Sequence, residues 1–235
     1  MTFAEKVIRF NQELQFDGLL PENISVMNPF AANPAALQAS SRFYRKYYSD
    51  DHPRKLILGI NPGRFGAGVT GIPFTDTQRL KHDCGLEIAG VETHELSSVF
   101  IYEMIAAYGG PESFYRDYYI SAVSPLGFLI KKNGRELNYN YYDSKELLRA
   151  AEPFIIQSLE KQLSFGINRD ACFCLGNNKN YKYLTALNKK MNWFNQVIPL
   201  EHPRYIMQYK LKQKELFIRK YINLLQNNLI DESEK

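Results

Sequence analysis

Apolar residues Phe3, Val7, Phe10 and Leu14 recur at helical spacing, so the chain opens with an amphipathic helix. Residues 21–34 carry prolines and asparagines and read as a loop. A second helix runs through residues 35–49 and ends before Asp50, Asp51 and Pro53. Lys55 to Ile60 (KLILGI) is a short apolar run stopped by Asn61-Pro62-Gly63, which predicts a buried strand entering a tight loop. The alternation then repeats. Leu96 to Tyr108 has a helical period ending at Gly109-Gly110, and Tyr118 to Leu126 reads as a second buried strand stopped by Pro125. Asp143 to Phe165 is a long helical segment in which Pro153 predicts a kink or a break. Ala171 to Gly176 is a third strand, Lys179 to Lys190 a helix and Gln196 to Leu200 a fourth strand. Leu211, Ile218, Ile222, Leu225 and Leu229 share one face of a closing helix over residues 209–229, before a frayed tail, DESEK.

Strands separated by helices predict an α/β fold: a central, mostly parallel four-stranded sheet flanked by helices. No repeat or linker divides the chain. It reads as one domain over residues 1–235, with an N-terminal helical segment (1–50), a core (55–204) and the closing helix. Ligands of such sheets sit outside the carboxyl ends of the strands. The loops opening at Asn61, Ser124, Gly176 and Glu201 are therefore the places where chemistry is expected.

Composition narrows the classes. With 45% hydrophobic and 23% charged residues the chain is neither disordered nor fibrous. No window is apolar enough for a membrane span and the N-terminus does not read as a signal peptide, so a cytoplasmic protein is expected. Three cysteines (Cys84, Cys172, Cys174) are too few for a disulfide framework or a four-cysteine metal site, and Cys172 and Cys174 alternate on one face of a strand as core residues. His52, His82 and His94 lack metal-ligand spacing; no metal is expected. Twenty-nine basic against 25 acidic residues give a net charge of +4, which permits a polyanionic partner without demanding one.

The first loop, Gly59 to Asp76, holds five glycines, two prolines, Asn61 at the strand end and two phenylalanines. Its glycines could serve turns alone, or offer backbone N–H groups to a phosphate. Alternatively, they admit a flat ligand to a pocket with Asn61 as amide and Phe74 as stacking ring. It is neither a P-loop nor a dinucleotide fingerprint. His202 follows another strand end and is either a helix cap or a partner of Asn61 in one mouth of the sheet.

Gly59-Ile60-Asn61-Pro62-Gly63, then Phe65-Gly66, then Thr70-Gly71-Ile72-Pro73-Phe74, resembles motif 1 of the uracil-DNA glycosylase superfamily. It is most similar to the single-strand-selective monofunctional uracil-DNA glycosylase family (SMUG1-like), as a divergent, bacterial-type subfamily. His202-Pro203-Arg204 resembles the second motif, and Tyr119 to Leu126 sits where that family has its central uracil-recognition strand. The resemblance spans Lys55 to Arg204 and implies a monomeric, cofactor-free DNA-repair glycosylase that flips uracil out of DNA and hydrolyses its N-glycosidic bond. It implies that Asn61 positions the attacking water and His202 donates to uracil O2. Gly63 leaves the pocket floor open, Phe74 stacks on the base, and Arg204 inserts into or holds the DNA.

The sequence departs from the family in two places. Where the family has a base-reading asparagine this chain has Ala122, leaving recognition to backbone near Ser124 or to the hydroxyl of Ser121 or Ser124. Tyr205-Ile206-Met207 replaces the Ser-Pro that follows the second motif, altering the DNA wedge. Arg64, Lys179 and Lys182 are candidate phosphate contacts, and Asn177 or Asn178 could cap the helix they adjoin. Lys210, Lys212 and Lys214 read as a solvated face. Other readings are a glycosylase for a different deaminated base, a non-catalytic nucleic-acid binder and a phosphate-binding α/β enzyme. Asn61, Phe74 and His202 together favour catalysis, because a pure binder needs no leaving-group donor.

Overall fold

The computed structural model describes residues 1–227. Expectations for Leu229 and the DESEK tail lie outside the described residues. In chain order the elements are α1 (Phe3–Glu13), β1 (Ile24–Met27), α2 (Pro29–Ala32), α3 (Pro34–Tyr47), β2 (Arg54–Gly59), α4 (Ala67–Thr70), α5 (Thr77–His82), α6 (Leu96–Tyr108) and α7 (Pro111–Asp117). There follow β3 (Tyr118–Ala122), β4 (Gly127–Lys132), β5 (Arg135–Tyr139), α8 (Lys145–Leu163), β6 (Ile167–Leu175), α9 (Lys179–Met191), β7 (Gln196–Leu200), α10 (Pro203–Tyr209) and α11 (Lys214–Asn227).

Four strands form one wholly parallel sheet in the order β3-β2-β6-β7. Leu56, Ile57 and Leu58 of β2 and Ala171 to Leu175 of β6 are buried without polar alternation, as strands covered on both faces must be. Cys172 and Cys174 lie in that core. The capping box of α1 (Thr2 with Glu5) starts the helix, which packs on α3 and α8. Elements α6, α10 and α11 pack together, and the rings of Phe100 and Tyr221 meet edge-on at 5.1 Å. Arg54, fully buried, donates to Asp50, His52 O and Tyr115 O and lies within 4.8 Å of the ring centroids of Phe3 and Tyr48.

Several expectations need correction. The prolines of residues 21–34 predict a loop, but this stretch forms β1 and α2 and enters a second, antiparallel sheet of order β1-β4-β5. The hairpin β4–β5 turns through Asn133 (φ 49) and Gly134 (φ 73), the backbone that an Asn-Gly pair adopts most readily. The second core strand ends at Ala122 rather than Leu126, and α8 runs unbroken through Pro153. The closing helix starts at Lys214, because α10 and a 3-10 turn (Leu211–Gln213) occupy the preceding residues.

Candidate active site

The loop after β2 passes between the two sheets. Val123 and Ser124 N–H donate to Gly59 O and Ile60 O, which ties the ends of β2 and β3 together. The buried hydroxyl of Thr70 donates to Thr75 O at 2.7 Å and accepts from Ile72 N at 3.1 Å. That brace holds Phe74 at φ 52, a left-handed backbone that costs a non-glycine residue about 1–2 kcal/mol. The strain turns the Phe74 ring against the end of β2: a Cβ on Gly59 would lie 2.8 Å from its edge. Only glycine at position 59 admits the ring.

Asn61 is held at both ends of its carboxamide by the end of β5 and the residues that follow it. Its Nδ2 donates to Tyr139 O at 3.3 Å and its Oδ1 accepts from Tyr141 N at 3.1 Å. The Tyr141 hydroxyl in turn donates to Asn180 Oδ1 at 2.7 Å, and Asn180 Nδ2 donates to Leu175 O at 3.0 Å. Asn61 is thus fixed through Tyr141 and Asn180 to the end of β6. One lone pair of Asn61 Oδ1 is left for a guest.

His202 is the N-cap of α10. Its Nδ1 accepts from Arg204 N at 3.2 Å, which leaves the proton of the neutral ring on Nε2. Burial, and secondarily the charge of Arg204, lower its pKa to about 4, so the ring is neutral at physiological pH. Its centroid lies 5.9 Å from that of Phe74. The capping bond selects the tautomer whose Nε2–H is free to donate.

Asn61, Phe74 and His202 line one cavity of about 400 Å³, together with Gly63, Ser121, Ala122 and Arg204. Ser121 donates its hydroxyl to Gln162 Oε1 at 2.5 Å. Ser124, fully buried, donates to Leu126 O at 2.8 Å and is not part of the cavity wall. Arg64 takes a backbone bond, N–H to Asn138 Oδ1 at 3.1 Å, and its guanidinium stands 5.2 Å from the Phe65 ring centroid. Lys179 lines an adjoining cavity that shares Ile60, His202 and Tyr205 with the first, and Lys182 is exposed one turn further along α9. Asn178 occupies the N-cap of that helix without a side-chain bond. Lys214 of the basic C-terminal group is ion-paired to Glu103 at 2.6 Å.

The sequence reading missed Asn11, Glu95, Asn138 and Asn140 of the cavity wall, and the braces Tyr141 and Asn180. Glu95 is the sole acidic side chain among the described residues lining the cavity. Asp76 positions it by accepting from Glu95 N at 2.7 Å. A Cβ on Gly66 would fall 2.0 Å from its Oε2, so the glycine loop is shaped around this carboxyl group. Burial raises its pKa, and the facing Arg204 opposes the rise. The Asn-Gly turn was the available signal for the hairpin that carries Asn138 and Asn140.

The family model of the uracil DNA glycosylase superfamily matches residues 45–226. The chain is 52% identical to the crystallised wild-type SMUG2 of Pedobacter heparinus, with a TM-score of 0.95 over 97% of this chain and 100% of that one. No curated protein sequence matches the chain.

Proposed function

The chain belongs to the uracil-DNA glycosylase superfamily and is a DNA glycosylase, a hydrolase of N-glycosidic bonds; from that premise we propose that its substrate base is uracil and that Asn61 and His202 carry the chemistry, in a monomer without cofactor. One observation carries the reading: a neutral imidazole with its Nε2–H available and a backbone-clamped carboxamide share a cavity with a stacking ring.

The target nucleotide leaves the stack and its base enters the cavity against Phe74. The C1′–N1 bond breaks with its electron pair staying on uracil, so negative charge builds over N1 and O2 while the sugar becomes oxocarbenium-like. His202 Nε2–H donates to O2 and stabilises that charge without surrendering its proton. A preorganised donor of this kind is worth about 3 kcal/mol. Water adds to C1′ and loses its proton to solvent. Asn61 cannot take that proton, so its part is orientation. Exposed Tyr205 and Tyr209, rings 5.7 Å apart, offer a stacking platform at the mouth. Arg64, Arg204, Lys179 and Lys182 hold phosphates.

The test is alkali-induced strand cleavage of labelled oligonucleotides carrying one uracil, single-stranded or opposite G or A. Asn61→Ala and His202→Ala are each expected to lower the single-turnover rate by about 10²–10³-fold. An inert wild type on every uracil substrate would remove the reading. Excision confined to another deaminated base would favour the alternative that the small Ala122 side chain leaves open.

A further inference from the structure

The wall that Ala122 shares with α1 and α3 contains two polar groups that the chemistry above does not use. Asn11 is only 6% exposed, lines the cavity, and makes no side-chain hydrogen bond to another described residue. The hydroxyl of Tyr44, on a side chain 3% exposed in the same wall, is likewise unbonded among the described residues. Phe10, Pro29, Phe30, Tyr119 and Ala122 line the same cavity. The polar atoms of both side chains are open to the cavity rather than sealed in the core, so each is available to complete a contact with a guest. The neighbouring candidates are already engaged: Ser121 and Tyr119 both donate to Gln162.

We propose that the Asn11 carboxamide, carried by the first helix, reads the edge of the flipped base opposite its glycosidic bond, with the Tyr44 hydroxyl beside it. This rests on the uracil reading above. A base enters with its sugar at the mouth, where Asn61 faces C1′ and its water and His202 meets O2. The inner wall then faces N3 and O4. Asn11 Oδ1 accepts from N3–H while its Nδ2 donates to O4, the bidentate match of an amide to a lactam edge. Burial keeps the Tyr44 phenol protonated and able to donate. Ala122, lacking polar atoms of its own, makes room for this contact from the helix.

Single-turnover kinetics on oligonucleotides carrying uracil or 3-methyluracil, which lacks the N3 proton, test the assignment in wild type, Asn11→Ala and Asn11→Leu. Asn11→Ala should slow uracil excision by about 10- to 100-fold, the discrimination of a good bidentate pair. It should barely affect 3-methyluracil, so the preference for uracil collapses. Inhibition by free uracil should weaken by a similar factor. Asn11→Leu, close in shape, should lose the same activity while melting no lower than wild type, since the Asn11 side chain bonds no other described residue. An equal fall on both bases, or unchanged uracil excision, would overturn the assignment while leaving the uracil reading intact. A wild type inert on uracil would take both down.

Discussion

At the scale of single residues, the proposed role of His202 as a donor depends on its role as a helix cap. Accepting the Arg204 N–H commits Nδ1 and fixes the proton on Nε2, while burial holds the ring neutral down to about pH 4. The folded pKa lies below the unfolded value of about 6.5, so protonation opposes the native state. The stability this neutral ring contributes is present above pH 6.5 and is lost as pH falls from there toward 4. The donor itself persists over the same window. The acid limb of kcat/KM from His202 should therefore lie near pH 4, and a limb near 6.5 that vanishes in His202→Ala would contradict it. Asn61, Phe74 and His202 were legible because each sits just beyond an apolar run or in a glycine-rich loop. Asn11 left a fainter trace: a polar residue four positions after Val7, on the apolar stripe of its own helix.

At the scale of elements, the β4–β5 hairpin decides how well the site is held. Its last residue, Tyr139, supplies one backbone group that clamps Asn61, and Tyr141, two residues beyond the hairpin, supplies the other and extends the clamp to Asn180. Tyr141→Phe keeps the backbone donor but leaves Asn180 Oδ1 buried and unpaired. The expected cost is about 1–3 kcal/mol in urea denaturation, with a slower single-turnover rate and unchanged binding of DNA carrying an abasic product. A variant as stable and as fast as wild type would show that the brace is idle. This hairpin escaped the sequence reading because its strands carry Lys131, Lys132, Arg135 and Glu136 rather than an apolar run, and β5 is largely exposed. Prolines 21 and 29 similarly masked β1, whose four residues pair only across to β4.

At the scale of the whole molecule, a net charge of +4 is modest, so DNA affinity must come from where the cations sit. Arg204 lines the first cavity and Lys179 the adjoining one, Arg64 directly follows the cavity residue Gly63, and Lys182 is exposed one turn beyond Lys179. If all four meet phosphate, log Kd for single-stranded DNA should rise with log salt with a slope of roughly 3, and Lys179→Ala should reduce it by about 0.7. A slope near zero would place the DNA elsewhere or remove these contacts. The strand-end loops converge on the carboxyl edge of the sheet because every core strand runs the same way, so every following loop emerges there.

Local pattern alone was enough for the α/β layering, the four core strands and the two strand-end loops that carry Asn61 and His202. Hydrophobic periodicity and glycine placement are local properties, and each can be read within a window of a dozen residues. Only the tertiary structure decided that Asn11, Glu95 and Asn138, drawn from the first helix, a loop and an exposed hairpin, share a wall with them. Their positions follow from packing between segments up to about 190 residues apart, from Asn11 to His202, and no local pattern records which distant polar group a folded chain leaves unpaired inside a cavity.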